Sequence, residues 1–273
     1  GRSLAKVCYT SQRYSYAMKA VIQSIITHKT PVFFLSPHLD DAALSCGGLI
    51  EQLAGKTEVT VITVFTGTAR GGQTISAKKS LANSQFQTPE AYYDARIAED
   101  KAAFSGLPVK LIHLGEVEAL WRKRTNPSSA LSILGKLLPE VVHVYPTYRY
   151  HIVSGKISPS DKALIVSIQR KLETLIPKQA IVFAPFGIGN HVDHLVVREV
   201  ADRISQPIYW TDQPYLTREH SQKSRFPGLV LEENHFEKVK KDRIIKAYTS
   251  QIPLLFPNTT DPHVREFFLL PKK

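Results

Sequence analysis

Residues 32–48 read VFFLSPHLDDAALSCGG. The run Val32-Phe33-Phe34-Leu35 is continuous and apolar, as expected of a central parallel strand covered on both faces. It stops at Ser36-Pro37, and three metal-competent side chains follow: His38, Asp40 and Asp41. Ala42-Ala43-Leu44 then resume with good helix formers. This is a strand, a tight polar loop and a helix. Open α/β folds place their ligand crevice at the carboxyl ends of such strands. Imidazole and carboxylate together suit zinc or another first-row divalent ion. A matching polar stretch lies far down the chain, Asn190-His191-Val192-Asp193-His194, after a second buried run, Ala180–Ala184.

Working outward, apolar residues at helical spacing over Tyr14–Thr27 predict a helix that leans on the sheet before the first strand. Ala42–Ala54 is the first crossover helix, and Gly47-Gly48 within it predicts close helix–sheet packing. Glu58–Thr66 is the second strand, dense in β-branched residues. The loop Thr66–Gly72 follows at the same rim as His38. It lacks a phosphate-loop pattern and no helix opens immediately after it, so it reads as a substrate-side loop with Arg70 a candidate contact. Thr88-Pro89 starts a helix that runs to about Ser105 and ends at Gly106. Val109–Leu114 is the third strand, Ser128–Leu138 a helix, and Val141–Tyr145 a further strand. Thr147–Ser158 is aromatic and basic, and Tyr148 there is a candidate sugar contact. Ser160-Asp161 opens a helix, and a helix from His191 to about Ile204 takes Asn190 as its N-cap. Pro207–Trp210 is a short strand. Leu229–Glu232 reads as a strand, Phe236–Tyr248 as a helix, Pro253–Pro262 as a Pro-rich loop and Glu266–Leu270 as a last edge strand. The class is α/β, a Rossmann-like, largely parallel sheet with helices on both faces. One domain over 1–273 is expected, with a helical extension at 1–30 and a strand/helix addition at 217–273.

The chain has 273 residues and a net charge of +11, and 43% of its residues are hydrophobic. No apolar run approaches the ~20 residues that span a bilayer, and the first residues carry no apolar signal core. Two cysteines, Cys8 and Cys46, make no disulfide framework, so a reducing cytoplasm is expected. Cys46 reads as a small buried hydrophobe. The positive charge admits an anionic partner such as a membrane surface, but no nucleic-acid-binding motif accompanies it. The basic runs Trp121–Arg124 and Lys238–Arg243 read as solvated faces.

The joint pattern HLDD, helix, HVDH resembles the PIG-L/LmbE-like deacetylases, which are zinc-dependent enzymes that remove the acetyl group from N-acetylglucosamine-type sugars. Arg96-Ile97-Ala98-Glu99, Ala184-Pro185-Phe186-Gly187 and Tyr248-Thr249-Ser250-Gln251 extend the likeness over roughly residues 30–250. The family's loop is HPDDE, whereas here Leu39 and Ala42 replace the Pro and the Glu. The resemblance implies His38, Asp41 and His194 as zinc ligands, with Asp40 the general base. Zinc and a protonated His191 are expected to stabilise the oxyanion of the tetrahedral intermediate. Asp193 is a candidate to orient His191 or His38. Arg96 and Glu99 are helix neighbours, read either as a surface ion pair or as part of a helix that orders the substrate loop; Arg96 is a candidate substrate contact. The expected activity is hydrolysis of the N-acyl amide of a sugar or glycoconjugate. The alternatives are a zinc amidase acting on a non-sugar amide and a non-catalytic binding protein on the same fold.

Overall fold

Val32–Ser36 is a strand buried at every position, and its side chains alternate between two helical layers. Phe34 packs with one apolar cluster and Phe33 and Leu35 with another. A strand covered on both faces needs apolar side chains at odd and even positions alike, which explains the continuous run.

The computed structural model describes residues 18–218, 226–258 and 264–272. Helix α1 runs through residues 18–28. It is followed by β1 (Val32–Ser36), α2 (Asp41–Leu53), β2 (Val59–Gly67), α3 (Ile75–Asn83), α4 (Pro89–Ala103) and β3 (Val109–Val117). Next come α5 (Ser129–Leu137), α6 (Lys162–Leu175), β4 (Ile181–Pro185), α7 (Val192–Ile204), β5 (Ile208–Trp210) and α8 (Tyr215–Arg218). The last elements are β6 (Leu229–Asn234), α9 (Lys238–Lys246), α10 (Ile252–Leu255) and β7 (Glu266–Pro271). The seven strands form one sheet in the order β3-β2-β1-β4-β5-β7-β6. Strands β1 to β5 pair in parallel, while β7 runs antiparallel to both neighbours. After β1 the chain builds outward to β2 and β3, then returns to place β4 on the other side of β1. The order therefore reverses between β1 and β4, and a crevice opens at their carboxyl ends. Both halves of the polar pattern, 38–41 and 190–194, emerge there.

Several expectations are corrected. Residues 141–145 are not a sheet strand. Pro139 starts a 3-10 turn over Pro139–Val142, and the chain then pairs locally, with Arg124 N donating to Val142 O (2.8 Å) and Val144 N to Arg122 O (2.9 Å). Strand β7 is not an edge; it lies between β5 and β6. A helix does follow the 66–72 loop: α3 begins at Ile75, with the Thr74 hydroxyl accepting from Ala77 N. Asn190 is not the cap of α7. It adopts φ 60°, and His191 is the N-cap, its ring nitrogen accepting from Asp193 N. The Pro-rich stretch contains the short helix α10, and residues 259–263 lie outside the described residues. Cys46 is buried, as expected, whereas Cys8 and positions 14–17 of the first predicted helix lie outside the described residues.

The basic runs are not wholly solvated. Lys241 is buried, with its Nζ 2.9 Å from Glu266 Oε1. Glu266 also accepts from Gly48 N (2.6 Å) and Leu49 N (3.1 Å), so one carboxylate of β7 anchors both α2 and α9. Gly47-Gly48 does mark a close approach, but to the 236–244 segment rather than to the sheet. A Cβ on Gly48 would lie 2.3 Å from Phe236 Cγ. Gly48→Ala should destabilise the protein by about 1–3 kcal/mol through overpacking. Phe236→Ala introduced with it should relieve that overlap. Strictly additive losses in urea denaturation would show that this contact is not what limits position 48.

Candidate active site and metal centre

The loop after β1 is tied by short side-chain bonds. Ser36 Oγ donates to His38 O (2.6 Å) and accepts from Ala42 N (3.0 Å). His38 N donates to Asp41 Oδ2 (2.9 Å), and Phe65 N, from β2, donates to Pro37 O (2.9 Å). The loop after β4 turns through Gly187, Gly189 and Asn190, all at positive φ. Asp212, just past β5, receives Gly187 N and Ile188 N on one carboxyl oxygen, both at 2.7 Å. Its other oxygen pairs with His194 Nδ1 at 2.7 Å.

These loops bring His38, Asp41 and His194 together. Asp41 Oδ2 lies 3.2 Å from His38 Nδ1 and 3.3 Å from His194 Nε2. Donors bound tetrahedrally at 2.0–2.1 Å from one ion lie about 3.3 Å apart, so the set fits a divalent metal. The outer nitrogen of each imidazole is held by a carboxylate: His38 Nε2 by Asp193 Oδ2 (3.2 Å) and His194 Nδ1 by Asp212 Oδ1. That support fixes the ring orientation of metal-ligating histidines. His38, Glu118 and His191 form a second group of clustered donor atoms. It shares His38 and lacks the carboxylate backing on His191, so the His38–Asp41–His194 set is the stronger candidate for a metal centre.

The charges are strongly coupled. Burial works against a charged His38, but Glu118, Asp193 and Asp41 outweigh it and push the metal-free imidazole up to about 10. His194 is likewise raised against burial, by Asp41 and Asp212. Burial opposes the Asp41 anion, but the two imidazoles hold that carboxyl well below its ordinary range. Asp40 moves the other way: burial raises it, and Arg96 only partly offsets this. Burial, then the positive field of His38, drives His191 well below its ordinary value. Its Nδ1 accepts from Asp193 N (3.2 Å), so His191 is neutral and not the protonated imidazole expected, and the ring carries its proton on Nε2.

The centre opens into a cavity of about 500 Å³ lined by His38, Asp40, Asp41, His191 and His194. Arg96 lines it too, but its guanidinium is bound to Asp40 Oδ1 (2.8 Å) and the Tyr92 hydroxyl (3.2 Å). Arg96 and Glu99 make no ion pair with each other; Glu99 instead accepts from Thr249 and Ser250. Tyr148 lines the mouth, its ring centroid 6.3 Å from that of His191. Arg70 is exposed and is not part of the lining, and its carbonyl accepts from Lys123. Asp193 orients His38 through its carboxylate and meets His191 through its backbone amide. Four further residues, Asp212, Arg122, Glu118 and Gln213, escaped the sequence reading. Asp212 and Gln213 had a usable signal, since they follow a predicted strand at the same rim.

Metal removal and replacement tests the centre. About one divalent ion per chain is expected, and Asp41→Asn should abolish it. Asp212→Asn should weaken metal affinity by about 10–100-fold, because it disturbs the support of His194 and of the turn after β4 while leaving every metal donor in place. Both imidazoles hold raised pKa values without metal, so binding must displace protons and affinity should rise with pH. Full metal content in Asp41→Asn, read by elemental analysis, would exclude this centre.

The family model described as PIG-L: GlcNAc-PI de-N-acetylase matches residues 33–205. No curated protein sequence matches the chain. Among solved structures, a deacetylase of teicoplanin biosynthesis in complex with bog superposes with a TM-score of 0.67 at 21% identity, over 89% of this chain and 99% of that one. The zinc-inhibited form of teicoplanin deacetylase Orf2 gives 0.66 at 21% identity, over 89% and 99%. The A40926 pseudoaglycone deacetylase Dbv21 gives 0.62 at 23% identity, over 89% and 97%. These proteins share the fold. The family match spans well over half of the sequence and includes every residue of the His38–Asp41–His194 centre, and the chain belongs to the PIG-L, GlcNAc-PI de-N-acetylase, family.

Proposed function

We propose that this protein is a metal-dependent N-deacetylase that hydrolyses the N-acetyl, or another N-acyl, amide of an N-acetylglucosamine-type sugar or glycoconjugate. The observation that carries the reading is the three-donor set of His38, Asp41 and His194 with the Asp40 carboxylate beside it in one cavity. Zinc suits these donors, and other first-row divalent ions share the preference. A divalent ion held there supplies Lewis-acid chemistry, acidifying water and polarising the amide carbonyl.

The chain's own groups perform the proton work. Asp40 is bound by Arg96 through Oδ1, which leaves the second carboxyl oxygen to take a proton from the attacking water. The water oxygen then bonds to the carbonyl carbon, and the charge that develops on the carbonyl oxygen can be met by His191 Nε2–H. As the C–N bond breaks, Asp40 returns the proton to the leaving nitrogen. The products are a carboxylic acid, which keeps the second water proton, and a free amine. Gln213 supports a polar substrate: it lines the cavity, is 1% exposed, and neither atom of its amide has a hydrogen-bond partner among the described residues. A sugar's hydroxyl and amide groups match that donor–acceptor pair.

Asp40→Asn should lower kcat by about 10²–10⁴ while metal content stays at the wild-type level. Asp40 must be ionised to act, and burial raises its pKa. Activity should therefore fall as pH drops through a value above the ordinary aspartate pKa of about 3.9. Retained turnover of an N-acetylated sugar panel by Asp40→Asn would remove it as the base. Gln213→Leu should raise KM about tenfold or more with kcat little changed, because it removes only a binding contact. An unchanged KM would dismiss Gln213 as a substrate contact.

A further inference from the structure

We propose that α5 and the turns beside it form a surface that docks on an anionic lipid bilayer next to the mouth of the cavity. Helix α5 lies on the outside of the molecule, and only Gly135 of its residues is buried, against Val142. Its apolar side chains face outward: Ile133 is 66% exposed, Leu134 46% and Leu137 87%. Single exposed apolar residues are ordinary, but a contiguous patch is not. Eleven large apolar side chains are exposed among the described residues. Eight of them fall at Ile75, at 131–138 or at 148–150.

These segments are bound into one surface. Ile75 N donates to Glu140 Oε1 (2.8 Å), Tyr148 N donates to Ser76 Oγ (3.2 Å), and Gly72 packs on Pro139. Ser76, Lys79 and Tyr148 belong to both the patch and the cavity lining, so the patch borders the opening.

Charge decides the occupant. Stretches 59–89, 119–139 and 141–160 contain no Asp or Glu. They carry exposed cations at Arg70, Lys78, Lys79, Lys136, Arg149 and Lys156. The one carboxylate between the last two stretches, Glu140, is engaged with Ile75 N. A second copy of the chain would set like charges against like. An anionic bilayer meets both needs: Leu and Ile enter the acyl boundary while Lys and Arg reach lipid phosphates. No helix among the described residues is long and apolar enough to cross a membrane, so contact is at the interface.

The test uses the full chain and vesicles of phosphatidylcholine alone or with about one-third phosphatidylglycerol. Binding to the anionic vesicles that weakens at about 0.5 M salt is expected. Leu134→Glu/Leu137→Glu should lower the partition coefficient about tenfold or more, with an unchanged thermal midpoint, because both side chains are exposed. No binding to anionic vesicles would overturn the proposal, as would wild-type binding by the double variant. Concentration-dependent dimerisation abolished by the same pair would assign the patch to a second copy instead.

Discussion

Asp193 is fully buried, and an unpartnered carboxylate there would cost several kcal/mol. Its partners come from two distant segments. Arg122 Nη2 and Ala119 N approach from beyond β3, and His38 from the loop after β1. Burial opposes the anion, but Arg122, His38 and His191 together hold it far below the ordinary carboxylate range. Arg122 is itself buried. It reaches across to Asp161 (2.7 Å), takes Val117 O, and lies over the Phe65 ring. One ionic cluster thus joins the ends of β2 and β3 to the starts of α6 and α7. The orientation of His38 is the outcome of that cluster, because the same Asp193 oxygen that receives Ala119 N meets the imidazole. On the other side of the centre, Asp212 does the equivalent for His194, dividing its oxygens between the ring and the turn after β4.

This arrangement follows from topology. The reversal of strand order between β1 and β4 leaves a gap that no crossover covers. The loops after β1 and β4 meet across it, and those after β3 and β5 flank it. Polar side chains can gather there because the loops offer turning backbone instead of a packed face. Once gathered in a low-dielectric pocket, they must neutralise one another, which is why nearly every carboxylate at the rim has a cationic or imidazole partner. Asp40 has such a partner in Arg96, yet burial still dominates it. Of the two adjacent aspartates it is therefore the one disposed to accept a proton, while Asp41 remains an anion fit for a metal.

The sequence made legible those features that concentrate distinctive chemistry in a few consecutive positions. VFFL, EVTVITVF and AIVFA are long enough apolar runs to be strands, and HLDD and HVDH gather metal donors at their ends. Apolar character reports burial, however, and not pairing. VVHVY at 141–145 is as apolar as a strand, yet it folds back on 122–124 after Pro139 and buries Val144 and Tyr145 with Trp121. Charged residues misled in the opposite sense. Arg122 and Lys241 sit in basic runs, so nothing local marks them as buried. Their partners define them, and those of Arg122 lie 39 and 71 residues away. Helix α3 was missed for want of an apolar stripe, since only Ala77 and Leu81 are buried on it. Asp212 was reachable by position but had no distinctive neighbour.

The two departures from the family's HPDDE loop can now be weighed physically. A proline at position 39 would stiffen the backbone by fixing φ. Leu39 cannot do so, but it is fully buried in an apolar cluster with Tyr92, Trp121 and Val192, which anchors the loop by packing instead. The four bonds through Ser36, Asp41 and Phe65 hold the remaining backbone. Position 42 is also buried, and Ala42 uses only its amide, donating to Ser36. A glutamate there would need its own cationic or hydrogen-bonding partner in a region already dense with carboxylates. Alanine removes that requirement and leaves Arg96 directed at Asp40. The substitutions therefore move the support of the loop from a rigid residue and a charge to packing and backbone bonds, while the donor atoms of His38 and Asp41 remain at metal-binding separation.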